Sequence, residues 1–187
     1  MNSYRTTKLV DTLNLTHWYQ PIYELESCKV IGYEALVRNK PLYNLSPIDI
    51  FQRAEHEGCR TILDFQLLFR AIDLASKSHT HMIFLNVFPS TLLEKWFIPL
   101  WDKHLAIKQS LVLEISENEC VSDWKALIRT VNVLKDKGVK IAIDDMGSGY
   151  SFFRHWIELQ PDYIKLDGYY SMELSHNLLK QKVHRNF

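Results

Sequence analysis

The sequence predicts an α/β fold built on a parallel sheet, and more narrowly a (β/α) barrel. Short apolar runs alternate with segments of helical periodicity, and short polar loops join them. Successive apolar runs carry a chemically active side chain or end on one. Parallel barrels assemble their sites from side chains at the ends of their strands. The glycine patterns GxGxxG and GxxxxGK[ST], which mark nucleotide-binding folds, are both absent from the sequence.

Composition excludes several classes of function. The chain of 187 residues carries 22 basic and 22 acidic side chains, so no nucleic acid polymer is expected as a partner, because such a polyanion selects a basic surface. No apolar run approaches the roughly 18–20 residues that cross a bilayer, so no membrane span is expected. Three scattered cysteines without a CxxC pair favour a reducing, cytoplasmic location.

The N-terminal part of the chain predicts a lead-in helix and a hairpin. Residues 1–16 are polar with a weak helical stripe of leucine and valine, which predicts a short helix before the domain. Residues 17–25 and 30–37 are aromatic and β-branched, and the short polar turn between them favours an antiparallel pair of strands. Pro21 indicates that the first strand lies at an edge or an end.

Helices and strands then alternate. Ser46 and Pro47 are typical of an N-cap and a first helical position, and this helix is expected to stop at Gly58. Further helices are predicted at residues 60–76, from Pro89 through a segment that Pro99 interrupts, from a Ser122 cap to Lys137, at residues 151–159 and from residue 170. Strands are predicted at residues 82–85, 111–115, 139–143 and 162–166.

Carboxylates recur within or directly after these strands. Glu34 and Glu114 lie inside apolar runs, where an unpaired charge is costly to bury, and Asp144 and Asp145 close another such run. Together with Asn86 they form a set of hard oxygen ligands that suits Mg²⁺ or Mn²⁺ rather than zinc. The alternative for each residue taken alone is a rim or turn position satisfied by hydrogen bonds.

Two cations accompany the carboxylates. Lys165 lies on the last predicted strand. It either stabilises a phosphate or a metal-bound water, or forms a structural ion pair with the acids or with Asp167. Arg38 either holds a phosphate through two parallel hydrogen bonds or is a surface cation.

Six motifs in order resemble the EAL domain family, whose members hydrolyse cyclic di-GMP to linear pGpG. They are YQPI at residues 19–22, EALVR at 34–38, the asparagine of LNVFPSTL at 86, the ExxE pair at 114 and 117, DDMGSGYS at 144–151 and PDYIKLD at 161–167. The fifth motif departs from the family's DDFGTGYS at Met146 and Ser148.

The resemblance implies a fold and a set of residue roles. The fold is a modified (β/α)8 TIM barrel with an antiparallel first strand. Implied metal ligands, for a two-ion Mg²⁺ or Mn²⁺ site, are Glu34, Asn86, Glu114, Asp144 and Asp145. Lys165, Asp145 and Glu117 would take catalytic roles, with Lys165 positioning the attacking water and Glu117 anchoring the loop after Asp145. Implied contacts to cyclic di-GMP are Gln20, Glu34, Leu36, Arg38 and Asp64.

The resemblance stops before the family's last two strands. We therefore expect an incomplete, truncated EAL domain over residues 17–187, with about six strands and two open edges. The segment beyond carries the family's general-base glutamate, and Glu173, the one acid after Asp167, stands in a different sequence context. An impaired second metal site and rate losses of ~10²–10⁴ from missing acid–base catalysis are the expected result.

Three hypotheses for the function remain open at this point. The retained ligand residues favour a cyclic di-GMP phosphodiesterase of weak activity. The missing segment favours a non-catalytic EAL module that binds cyclic di-GMP or a protein partner and regulates through it. A remnant that has lost its function would explain both features. The open edges are compatible with a homodimer, an exchange of elements, a covering tail or marginal stability.

Overall fold

One sheet of six strands organises the computed structural model, which describes residues 14–39, 45–76, 81–104, 110–116, 119–146 and 152–186. The strands lie in sequence order: β1 Leu15–Tyr23, β2 Val30–Asn39, β3 Met82–Val87, β4 Leu111–Ser116, β5 Lys140–Met146 and β6 Tyr163–Leu166. β1 pairs antiparallel with β2, and each later pair is parallel. The predicted α/β fold with an antiparallel first strand is confirmed, and the described sheet is not closed.

The first strand begins earlier than predicted. Leu15 and Thr16, which the sequence placed in the lead-in helix, belong to β1 because Leu15 is fully buried against Ile50 of the first helix and Leu63 of the second. Residues 1–13, the rest of that prediction, lie outside the described residues. The position of Pro21 in an edge strand agrees with the prediction from its missing N–H.

The helices connect the parallel strands. They are α1 Pro47–His56, α2 Arg60–Ser76, α3 Pro89–Leu92, α4 Phe97–His104, α5 Trp124–Asp136, α6 Phe152–Leu159, α7 Gly168–Ser171 and α8 Leu178–Asn186, with a 3₁₀ turn at Leu174–His176. Before α1, the Ser46 hydroxyl accepts a hydrogen bond from the Asp49 amide at 3.2 Å, and the Asp49 carboxylate accepts one from the Ser46 amide at 2.9 Å. This reciprocal cap explains why the start of α1 could be predicted from local residues.

Two details of the helices differ from the sequence predictions. Asp123, not Ser122, caps α5, since its Oδ1 accepts a hydrogen bond from the Ala126 amide at 3.0 Å. The break between α3 and α4 falls at residues 93–96, ahead of Pro99. Pro99 lies in the first turn of α4, where a missing N–H costs little because the first amides of a helix have no partner within it.

Candidate metal centre and ligand pocket

The side-chain alternation of the strands assembles a polar cluster at one end of the sheet. Phe84, Val112 and Ala142 form a small apolar cluster, and two residues further along the same strands stand Asn86, Glu114 and Asp144. Because residues i and i+2 share a face of a strand, these polar side chains lie on that face, at the carboxyl ends of β3, β4 and β5. The parallel register places Asn86 opposite Glu114 and Ser116 opposite Asp144.

The Lys165 ammonium group contacts carboxylates on three strands, β2, β4 and β5. Its Nζ lies 3.0 Å from Glu34 Oε2, 2.9 Å from Glu114 Oε1 and 3.2 Å from Asp144 Oδ1. The Asn86 amide donates a hydrogen bond of 3.1 Å to Glu34 Oε1. The structure therefore brings Glu34, Asn86, Glu114, Asp144 and Lys165 together, and Lys165 makes the ion pairs with the acid cluster that the sequence offered as one of its two roles.

Burial makes this cluster electrostatically unusual. The Glu114 side chain has no exposed surface, and burial raises its pKa to about 8, against the opposing effect of Lys165 and with further upward contributions from Glu34 and Asp144. Burial acts to lower the pKa of Lys165, but the attraction of Glu114, Asp144 and Glu34 outweighs it and the pKa lies above its usual value. One ammonium faces three carboxylates, so the site has an excess of negative charge.

The donor set fits a divalent cation. Oxygen atoms of Glu34, Glu114 and Asp144 lie within 4.8 Å of one another, and this is the grouping of acidic side chains that could hold a metal in the described part of the chain. Glu114 Oε2 is buried and accepts no hydrogen bond from the described residues. An orphaned carboxylate oxygen, two further carboxylates and the Asn86 amide offer the hard ligands that Mg²⁺, Mn²⁺ and Ca²⁺ prefer.

A cavity of about 600 Å³ opens beside the cluster. Glu34, Asn86, Glu114, Asp144 and Asp145 line it on one side. Side chains of β2, α1 and α2 complete the wall together with the residue after β3; among them are Leu36, Arg38, Phe51, Arg60, Asp64 and Phe88. A concave site that joins a charged end to an apolar end suits a ligand with both characters.

Four residues predicted to contact the substrate lie on the hairpin, and Glu34 of the acid cluster is one of them. Leu36 and Arg38 follow Glu34 at intervals of two on β2 and line the cavity with it. Gln20 lies opposite Glu34 in the antiparallel register, on the exposed edge strand. The Arg38 Nη1 donates a hydrogen bond of 2.8 Å to the Val37 carbonyl, and its guanidinium lies 5.8 Å from the Trp18 ring centroid.

Asp64, also predicted to contact the substrate, has a structural role in addition to its place on the cavity wall. It is 4% exposed, and its Oδ2 accepts a hydrogen bond of 3.0 Å from the Phe88 amide, at the start of α3. Burial raises its pKa to about 7, although the Thr91 side chain, the Phe88 amide and the charge of Arg60 favour the ionised form. α3 has no side-chain cap of its own at Phe88, so α2 supplies one.

The two remaining predicted residues are placed differently. Asp145 lines the cavity, but it is not one of the three acids whose oxygens converge within 4.8 Å. Its φ of 56° is uncommon for a residue other than glycine, and such strain is often found at functional sites. Glu117 and the loop at residues 147–151 lie outside the described residues.

Sequence reasoning missed a second set of polar contacts on the cavity wall. Arg60 Nη2 lies 2.7 Å from Glu119 Oε1, and the Arg60 guanidinium lies over the Phe88 ring. No periodicity or motif marks these residues as a unit, because they come from three separate segments. His17, 9% exposed, also lines the cavity, and burial together with the charge of Arg70 lowers its pKa to about 4. The alternation of β1 was the one signal that could have placed it inward.

Comparison with known proteins identifies the family. The EAL domain model matches residues 5–187. The probable cyclic di-GMP phosphodiesterase PdeI of Escherichia coli is 28% identical over 169 residues, which cover 83% of this chain and 22% of PdeI. The blue light- and temperature-regulated antirepressor BluF of Escherichia coli is 27% identical over 92% of this chain and 43% of BluF.

Solved structures agree with this result. Klebsiella pneumoniae BlrP1, in a complex with manganese and cyclic di-GMP, superposes with a TM-score of 0.78 and 26% identity over 91% of this chain and 44% of that chain. The chain thus spans less than half the length of PdeI, BluF or BlrP1. No described helix is both long and apolar enough to cross a membrane. By its motifs, its fold and the match over residues 5–187, this chain belongs to the EAL domain family.

Proposed function

We propose that this chain binds cyclic di-GMP in its cavity as an EAL-type phosphodiesterase module, and that hydrolysis to pGpG by the chain alone is weak or lost. The observation that carries the proposal is the convergence of Glu34, Glu114 and Asp144 around Lys165, with all three acids lining a cavity of about 600 Å³. Three carboxylates beside an open cavity are an arrangement suited to metal-assisted chemistry on a phosphodiester.

The residues of the site would have different roles. Glu34, Asn86, Glu114 and Asp144 would hold Mg²⁺ or Mn²⁺, which when bound neutralises charge on a phosphate and lowers the pKa of water. Lys165 keeps the three carboxylates close together and places a positive charge near an incoming phosphate. Arg38, on the cavity wall, has guanidinium donors beyond the one that binds Val37, and these suit a phosphate oxygen.

Weak turnover is proposed because the second ion has an incomplete ligand set among the described residues. Asp145 lines the cavity without joining the acid cluster. Glu173 is exposed and follows β6 by a helix, so it offers no general base near Lys165. Cys28, Cys59 and Cys120 form no disulfide with one another, which supports a cytoplasmic location for this module.

A non-catalytic role is the second candidate. The Lys165 ammonium occupies the centre of the acid cluster, and BluF, a relative over 92% of this chain, is named as an antirepressor. Exposed apolar side chains on α6, namely Phe153, Trp156 and Ile157, support a protein partner or a homodimer, as do β1 and β6 at the two edges of the described sheet.

The test measures binding and turnover separately. Calorimetry with cyclic di-GMP in Ca²⁺ reports binding, and chromatography of pGpG formed in Mg²⁺ or Mn²⁺ reports hydrolysis. Asp144→Ala should weaken both, whereas Asp102→Ala, which removes a surface acid paired with Lys137, should change neither. Binding with slow or no turnover supports the proposal. Rapid turnover that Asp144→Ala abolishes would contradict the weak-activity part, and no binding by the unaltered chain would contradict the whole.

A further inference from the structure

One wall of the cavity carries a cation packed on an aromatic ring, and a second ring supports the first. The Cζ atom of Arg60 lies 4.0 Å from the centroid of the Phe88 ring. Phe88 in turn packs edge-on against Phe51, with 4.9 Å between the ring centroids. All three side chains line the cavity that also contains Glu34 and Asp144.

The orientation of the Arg60 guanidinium is fixed at its edges. Its Nη2 lies 2.7 Å from Glu119 Oε1, and its Nη1 lies 3.6 Å from Glu55 Oε2. Glu119 is itself held, because its Oε2 accepts a hydrogen bond of 2.8 Å from the Ser90 amide and its Oε1 accepts one of 3.0 Å from the Ser90 hydroxyl. The Arg60 side chain remains 25% exposed.

The Phe88 ring beneath Arg60 is also held in place. Phe88 follows β3 directly and stands two residues after Asn86, so its position is tied to the strand that carries one of the proposed metal ligands. The Phe88 amide donates to Asp64. These contacts hold Arg60, Phe88 and the acid cluster in one arrangement. A ligand that stacks on side chains already held in place loses little free energy to ordering them.

We propose that Arg60, held on Phe88 by Glu119, is the surface on which one purine base of the bound cyclic dinucleotide stacks. This inference rests on the proposed function and adds a ligand-binding residue to it. The guanidinium donors face two carboxylates, Glu55 and Glu119, whose charge disfavours a phosphate at the same place. The flat face that points away from Phe88 remains, and bases stack readily on arginine planes and aromatic rings.

The experiment compares two substitutions of Arg60 with a matched arginine elsewhere. Calorimetry in Ca²⁺ measures the dissociation constant of cyclic di-GMP for the unaltered chain, Arg60→Leu, Arg60→Lys and Arg53→Leu. Arg53 is an exposed α1 residue paired with Glu57 and lies outside the cavity wall. Loss of one stacked base should weaken binding about five- to 150-fold in both Arg60 variants, and Arg53→Leu should bind as the unaltered chain does.

The lysine variant separates stacking from charge and from folding. Arg60→Lys keeps a cation for Glu119 but has no flat face, and thermal unfolding of each variant shows whether the fold is retained. A cyclic dinucleotide in which 2-aminopurine replaces guanine gives the direct readout, since stacking quenches its fluorescence. We expect quenching by the unaltered chain and by Arg53→Leu, and its loss in both Arg60 variants.

Each outcome has a distinct meaning. Full affinity and full quenching in Arg60→Leu would overturn the stacking role while leaving the proposed function in place. Retained affinity and quenching in Arg60→Lys alone would also overturn it, because charge would then be sufficient. If the unaltered chain binds no cyclic dinucleotide, both the proposed function and this inference fail.

Discussion

Replacing Lys165 with methionine tests the electrostatic account of the site most directly. At the three distances of 2.9, 3.0 and 3.2 Å, each pair contributes about 5 kcal/mol of gross attraction at an effective dielectric constant near 20. Mutual repulsion of the carboxylates and loss of hydration offset most of this sum. Removing one partner of a buried ion pair typically costs about 3–5 kcal/mol.

The expected loss lies at the lower end of that range, because the Lys165 side chain is 30% exposed and water screens part of the attraction. We therefore expect Lys165→Met to reduce the free energy of unfolding by about 3 kcal/mol. For a chain of this size, that corresponds to a melting temperature about 6–12 °C lower. Urea unfolding in a chelating buffer is the assay for the free energy, at pH 8.5, where Glu114 with its pKa of about 8 is mostly ionised.

Lys137→Met is the matched control, since Lys137 forms one surface ion pair of 2.9 Å with Asp102, and both side chains are more than one-third exposed, at 37% and 49%. It should cost less than about 1 kcal/mol. Added Mn²⁺ should stabilise Lys165→Met more than the control, because the three carboxylates have lost their cation. If Lys165→Met is as stable as Lys137→Met, and Mn²⁺ affects both alike, the three ion pairs do not stabilise the fold.

Two further predictions concern stability. Because burial raises the pKa of Asp64 to about 7, the folded chain binds this proton more tightly than the unfolded chain, and stability should fall as the pH rises from about 4 to 7. Asp64→Asn lacks this titration, so its free energy of unfolding should rise by about 3 kcal/mol relative to that of the unaltered chain between pH 5 and pH 8. Urea unfolding measures both free energies, and parallel pH curves would contradict a raised pKa of the buried Asp64 carboxyl. Gly32→Ala should lower stability by about 1–3 kcal/mol, because the new methyl group would lie 2.8 Å from both the Met82 carbonyl oxygen and Phe84 Cε2. Gly168→Ala, with open space around it, is the control, and equal melting temperatures would show that the sheet yields at Gly32.

The local elements were predictable because their signals lie within a few residues of each other. The capping box at Ser46 and Asp49 and the apolar stripe of α2 fix two helices with little help from the rest of the chain. Where competing local signals existed, the prediction was wrong by a residue or a turn, as with Ser122 and Asp123. Leu15 was misplaced because its partners in the core are far away in sequence.

Sequence by itself determined the fold class, the family and the residues that line the carboxyl ends of the strands, since strand alternation and motif order are properties of the chain alone. Only the tertiary structure decided which of those residues meet. The ion pairs of Lys165, the cap that Asp64 gives to α3 and the contact of Arg60 with Glu119 each join segments distant in sequence. Such pairings depend on strand register and helix packing, and these are set by the burial of the whole core rather than by neighbouring residues.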